Sequence, residues 1–202
     1  YDFRRINEND IVKHLTYVSQ SENIVAEEEA LRVVASKADG ALRDALSIFD
    51  QLTSFSGKNI TYASAIEHLN VLDVENYFKM TDFLFSDNAT SALLLLDEVI
   101  SRGFEAQHFI SGLASHFRNL LMAQNQLTIK LMEVSDSIKA KFAEQAQKID
   151  RRLLFRAMEL ANICDFNYKL SNNKRLSVEI CLLQINGNYL YKKNSVRQSR
   201  ER

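Results

Sequence analysis

Residues 38–51 read ADGALRDALSIFDQ. An Ala-Asp-Gly break is followed at once by Leu42, Ala45, Leu46, Phe49 and, one step further, Leu52, the spacing of one face of an α-helix. The pattern predicts a helix that starts at about Gly40, with Asp39 as its cap. The same period recurs upstream. Asn7 caps a first helix, Glu8 and Asp10 suit its positive end, and Ile11, Leu15 and Val18 form its stripe. A second helix starts near Ala26, with Glu27–Glu29 in its first turn and Ala30, Leu31, Val34 and Ala35 inward. Three short amphipathic helices cannot each bury a face alone, so they pack as one body. SFSGKN, residues 54–59, then reads as a linker.

The rest of the chain continues the theme. Thr61 and Asp73 cap two further helices, the second with Tyr77, Met80 and Leu84 inward. After SDNATS (86–91) comes ALLLLDEVI, whose leucines Leu93, Leu94, Leu95 and Leu96 cover more than half the helix circumference. Such a helix is covered on two sides, in a core or between subunits. A long helix follows from Phe104 to about Gln124, with Phe109, Ile110, Leu113 and Phe117 on one side. Residues 128–133 fit no period. Ser135 caps a more polar helix, and the last two run over about 151–169 and 174–190. VEICLLQI has a strand-like composition, but its helical surroundings and lack of turn residues argue for helix.

The deciding count is zero proline, with 5 glycines in 202 residues. Average usage gives roughly ten prolines, and strands need turn residues every few positions. The predicted fold class is therefore all-α: a three-helix domain over 1–56, a larger helical domain over 57–191, and a disordered basic tail over 192–202. That tail, KKNSVRQSRER, holds five cations against Glu201 and almost nothing apolar.

Several function classes are excluded by what is missing. The net charge is −1, and residues 58–191 carry about 14 Lys/Arg against 15 Asp/Glu, so no basic face for nucleic acid is indicated. No apolar run reaches the roughly 18 residues of a membrane span. GxxxxGK[ST], GxGxxG, HExxH, CxxC and GxSxG do not occur. Cys164 and Cys181 have no metal-ligand spacing and read as buried apolar residues of a reducing compartment. The four histidines are scattered and read as surface or satisfied interior groups. No nucleophile–base pair can be drawn, so the chain reads as a helical module rather than an enzyme, without a metal site. A protein-binding adaptor is the rival reading, although no repeat period near 34 or 40 residues supports it. The chain starts at Tyr1 without an initiator Met and reads as a piece of something longer.

Arg43 is the odd residue. A cation in the first turn of a helix is disfavoured by the helix dipole. It lies off the apolar stripe, on a face with Ser47, Asp50 and Gln51. Two readings follow: a surface pair with Asp39 or Asp44, or an anion held jointly by the helix amides and a guanidinium fork.

At this point the residues resemble a family. ADGALRDALSIFDQ is similar to the sensor 2 motif of the bacterial clamp loader ATPase, the gamma/tau subunit of DNA polymerase III. YDFRRINENDIVKHLTYVSQSENIVAEEEAL resembles the segment that leads from that family's ATPase core into its lid domain. The stretch from YFKMTDFLF to SHFRNLL resembles the start of its third domain, and NNKRLSVEICLLQI its last long helix. The resemblance implies a lid over 1–56 and an oligomerisation collar over 57–191, in a cytoplasmic replication protein. It implies that Arg43 reaches the γ-phosphate of ATP, that Leu42 packs near the adenine, and that Asp39 and Gly40 set the helix start. The family often has Ser where this chain has Ala41. ATP and Mg would then belong to the parent chain, in a core N-terminal to Tyr1, and this fragment alone would neither hydrolyse ATP nor hold it tightly. The implied partners are the delta, delta prime and further gamma/tau copies, met through the collar with Leu93–Leu96 as the candidate interface. The sliding clamp and primer-template DNA would be met through the whole loader, and no membrane is implied.

Overall fold

The computed structural model of the chain describes residues 5–69, 71–132 and 134–200. Among these residues are ten α-helices, one two-stranded ladder and one 3-10 turn. Contacts divide the chain into two compact units, residues 1–72 with 133–135, and residues 73–132 with 136–202. The all-α expectation holds.

The first unit is built from α1 (Glu8–Ser21), β1 (Val25–Ala26), α2 (Glu28–Lys37), α3 (Leu42–Ser56), β2 (Asn59–Ile60) and α4 (Tyr62–His68). Asn7 caps α1 by accepting from the Asn9 amide at 2.8 Å. The predicted stripes meet in one core: Ile11 and Leu15 of α1, Leu31 and Val34 of α2, and Phe49 and Leu52 of α3. Arg32 of α2 ties the helices at the rim by donating to Glu28 at 2.7 Å and to Asn9 of α1 at 3.0 Å.

The expected boundary at 56/57 is not where packing divides the chain. β2 pairs with β1 in parallel, Val25 opposite Asn59 and Ala26 opposite Ile60. Ile60, Ala65 and Leu69 are buried in the first unit's core. The Tyr62 amide also donates to the Glu27 carboxylate at 2.7 Å. Three buried side chains and the ladder to β1 outweigh the linker-like composition of 54–59, so the division falls after Leu72. Such a ladder of two-residue strands leaves no alternating pattern to read.

The second unit holds α5 (Val74–Leu84), α6 (Ala89–Ser101), α7 (Ala106–Ala123), the 3-10 turn Ile129–Leu131, α8 (Asp136–Gln147), α9 (Arg151–Tyr168) and α10 (Lys174–Arg200). Asp73, Asn88 and Asp150 cap α5, α6 and α9 with their side chains. α7 is the central helix and packs most extensively on α9. Phe109, Ile110, Leu113, Phe117 and Leu120 of α7 are all buried. Gly112 lets α7 come close to α5: a Cβ there would lie 2.1 Å from the Tyr77 hydroxyl oxygen. Three of the four histidines are exposed, and His116 is buried among Tyr77, Phe78 and Phe142. Cys164 and Cys181 are free and buried, as expected.

The basic tail does not begin at 192. α10 continues through Arg200, and residues 201–202 lie outside the described residues. Its backbone has no Pro or Gly after Gly187, and a helix already nucleated extends by one hydrogen bond per residue. Lys192 also pairs with Asp150 at 2.7 Å.

Candidate functional site

The turn before α3 differs from the expected one. Asp39 and Gly40 both have positive φ, 47° and 83°, so neither is helical and Asp39 is not the cap. Ala41 is the cap residue, with no side-chain hydrogen bond to the helix. Gly40 is required twice over. Its φ suits glycine, and an added Cβ would lie 2.7 Å from the Arg5 Cβ. The Gly40 carbonyl accepts from the Ile6 amide at 3.1 Å, while the Asp39 carboxylate pairs with the Arg5 guanidinium. Asp39 and Gly40 therefore do set the helix start, by making the left-handed turn ahead of it. The break signal in ADG was legible in the sequence. The extra turn was not, because it depends on residues 5 and 6, more than thirty positions away.

The shift places Leu42 and Arg43 first and second in α3. Leu42 is half-buried against the core. Arg43 is exposed, on the same side as the exposed Ser47, Asp50 and Gln51. Its guanidinium makes no hydrogen bond or ion pair among the described residues, and the pairing with Asp39 considered from the sequence is taken by Arg5 instead. The first amides of α3 have no carbonyl partner within the helix and no capping side chain. A bare helix N-terminus beside an unpaired guanidinium is a concentration of N–H donors and positive charge. It can take a phosphate-like anion.

In the second unit, the leucines 93–96 do not act together. Leu95 and Leu96 are buried in the unit's own core, Leu93 is half-buried, and only Leu94 is open, at 64%. Successive residues on a helix point about 100° apart, so four in a row cannot share one surface. Further exposed apolar groups lie on and beside the last two helices: Phe166 is 81% exposed on α9 and Leu170 79% in the turn after it, and Ile180 and Leu183 are half-exposed on α10. Their spacing was present in the sequence. The same helices also carry buried stripes, and periodicity alone does not say which stripe the core uses.

Known proteins resemble the chain along nearly all of it. Residues 10–58 match the family described as DNA polymerase III clamp loader subunit, ATPase lid domain. Residues 60–198 match DNA polymerase III subunits gamma and tau domain III, and the chain belongs to this gamma/tau clamp loader subunit family. DNA polymerase III subunit tau of Bacillus subtilis is 26% identical over 185 residues, which is 92% of this chain and 33% of that protein. DNA polymerase III subunit gamma of Buchnera aphidicola is likewise 26% identical, over 89% of this chain and 49% of its own. The chain thus spans between a third and a half of the length of these relatives. The fold is shared with the Bacillus subtilis DNA clamp loader delta protein, at TM-score 0.53 and 18% identity, over 92% of this chain and 58% of that one. The two family matches meet near residue 59, and the packing boundary lies after Leu72.

Proposed function

We propose that the chain is the non-catalytic part of a clamp loader subunit that senses ATP with its first unit and assembles the loader with its second. The observation that carries the sensing role is Arg43, unpaired at the bare N-terminus of α3. An ATPase core elsewhere in the subunit would bind the nucleotide with its Mg ion. The donor set here suits the far end of a triphosphate: fixed amides, the helix dipole and a planar guanidinium fork. Leu42, half-buried just ahead, would lend an apolar contact to the base. Asp39 and Gly40 act indirectly, by holding the turn that leaves the helix end open.

Arg43 would meet an anionic oxygen before hydrolysis and lose that partner after it. A contact present in one state and absent in the other biases a hinge between them by its own differential free energy. The lid would then swing against the core while domain III holds the subunit in an assembly with delta-type and further gamma/tau copies. Such an assembly would place the sliding clamp on primer-template DNA during replication.

The test is Arg43→Ala in the full-length subunit, assembled with its partners and assayed for ATP-driven clamp loading. Loading is expected to fall while the assembly stays intact. Normal loading by this variant would remove the sensing role. A loss of assembly without loss of fold would place Arg43 in the wrong function.

A further inference from the structure

The hairpin of the last two helices holds a pair of sulfurs. α9 ends at Tyr168 and α10 begins at Lys174, and side chains pin the turn between them. Asn173 accepts from the Leu176 amide at 3.1 Å, and the Ser171 and Ser177 hydroxyls lie 2.6 Å apart. These contacts fix the register in which the helices run back along each other. Counted from the centre of the turn, between residues 172 and 173, Cys164 and Cys181 are equally far along the chain.

Contact follows from that register. The Cys164 thiol donates to the Ser177 carbonyl at 3.5 Å. In an α-helix the carbonyl of residue 177 also accepts the amide of residue 181, so the Cys164 sulfur lies against the backbone that carries Cys181. The Cys181 thiol hydrogen-bonds to Cys164 in turn. Two sulfurs in such contact need only a small side-chain rotation to reach the roughly 2 Å of a disulfide. Both are free thiols, and the sequence holds no third cysteine to compete. Their surroundings differ. Cys181 is sealed at 2% exposure, whereas Cys164 keeps an edge open at 9%. The hydrogen bond from Cys181 holds the Cys164 thiol below the ordinary cysteine range, against burial and the Asp165 charge. The same bond, with burial, pushes Cys181 up. Thiolate character and access therefore fall on the same sulfur.

We propose that Cys164 and Cys181 form an oxidisable dithiol site that a peroxide closes to an intramolecular disulfide, with Cys164 attacking and Cys181 resolving. The Cys164 sulfur attacks one peroxide oxygen. The O–O bond breaks, and the leaving hydroxide takes a proton to become water. Cys164 is left as a sulfenic acid. The Cys181 sulfur then displaces its hydroxyl: the S–O bond breaks, the S–S bond forms, and a second water leaves with the thiol proton. Two thiols and one hydrogen peroxide give one disulfide and two waters, the peroxide taking the two electrons that the sulfurs lose. In a reducing compartment the dithiol is the resting form. Closure staples α9 to α10 across their turn and removes conformational freedom from the unfolded chain. The nucleotide contact at Arg43 plays no part in it.

The test uses the whole 202-residue chain. It is treated with hydrogen peroxide, alkylated in denaturant and weighed by mass spectrometry. The expected product is a single chain lighter by two hydrogens with no alkylated thiol, and dithiothreitol restores both thiols. In Cys181→Ser, dimedone should trap a sulfenic acid on Cys164. In Cys164→Ser, the remaining thiol should stay unoxidised. A second measurement needs no variant. In a mixture of reduced and oxidised glutathione, closure should be favoured roughly tenfold or more in buffer over urea, and the oxidised chain should gain the same factor in its folding equilibrium. Thiols that can still be alkylated after peroxide, or disulfides formed only between chains, overturn the proposal. Equal closure in buffer and urea overturns it too, because the fold would then contribute no proximity. Trapping on Cys181 in place of Cys164 overturns the order of attack.

Discussion

His116 makes the second unit acid-sensitive in a way that can be calculated. Its ring lies 4.7 Å from Phe78 and 4.8 Å from Phe142, centre to centre, and it is buried. Gln145 donates its amide to the Phe78 carbonyl at 2.9 Å and to the Asp82 carboxylate at 2.8 Å. That leaves the Gln145 oxygen to accept from His116 Nε2 at 3.2 Å, which fixes the Nε2–H tautomer. Nδ1 is buried and has no partner, so a proton added there would be desolvated and unpaired. Burial holds the imidazole pKa down at about 4, against the small opposing effect of the Gln145 hydrogen bond. Between pH 6.5 and 4 the unfolded chain binds this proton and the folded chain does not. Stability therefore falls as pH falls through that window and is insensitive to this group above it. At about 1.36 kcal/mol per pH unit, the loss between pH 7 and pH 5 is about 2 kcal/mol. The loss approaches about 3 kcal/mol by pH 4. Amide hydrogen exchange localised to α7 and α8 reads this directly. After correction for intrinsic rates, protection should drop roughly twentyfold from pH 7 to pH 5. His116→Gln keeps a donor near Nε2 and cannot titrate, so the pH-dependent part of the drop should vanish. An equal drop in the variant, or a His116 titration by NMR near 6.5, would refute the reasoning.

Other outcomes follow from single contacts. Ala41→Ser puts a capping oxygen on the bare start of α3 and should stabilise the first unit by about 0.5–1 kcal/mol in denaturant unfolding. Gly112→Ala drives a methyl into the Tyr77 ring that stacks on Phe109, and should cost about 1–3 kcal/mol in thermal unfolding of the second unit. Asn186→Ala strips the donor shared by the Leu84 and Ser86 carbonyls at the end of α5, and should cost about 1–3 kcal/mol by the same measurement. Arg43→Ala removes an exposed, unpaired side chain and should leave stability within about 0.5 kcal/mol.

The helical class, most caps and the inward faces were legible in local sequence. Asn7, Thr61 and Asp73 cap the helices they were expected to cap, and Phe49, Met80, Leu84 and Phe117 are buried as their spacing indicated. These features rest on interactions within one or two helical turns, which periodicity reports. The place of Arg43 at a helix start was also local, and so was its failure to fit the dipole.

What tertiary structure decided depends on residues far apart in the chain. The Asp39–Gly40 turn is held by Arg5 and Ile6, so the start of α3 moved two residues along. Ile60 and Leu69 joined the first unit because a two-residue ladder to Val25–Ala26 and a core made by other helices were there to receive them. Leu95 and Leu96 went inward while Leu94 stayed open. Phe166 and Leu170 stayed open although they are as apolar as any core residue. Sequence shows that a helix is apolar on two sides; only packing shows which side has already been used.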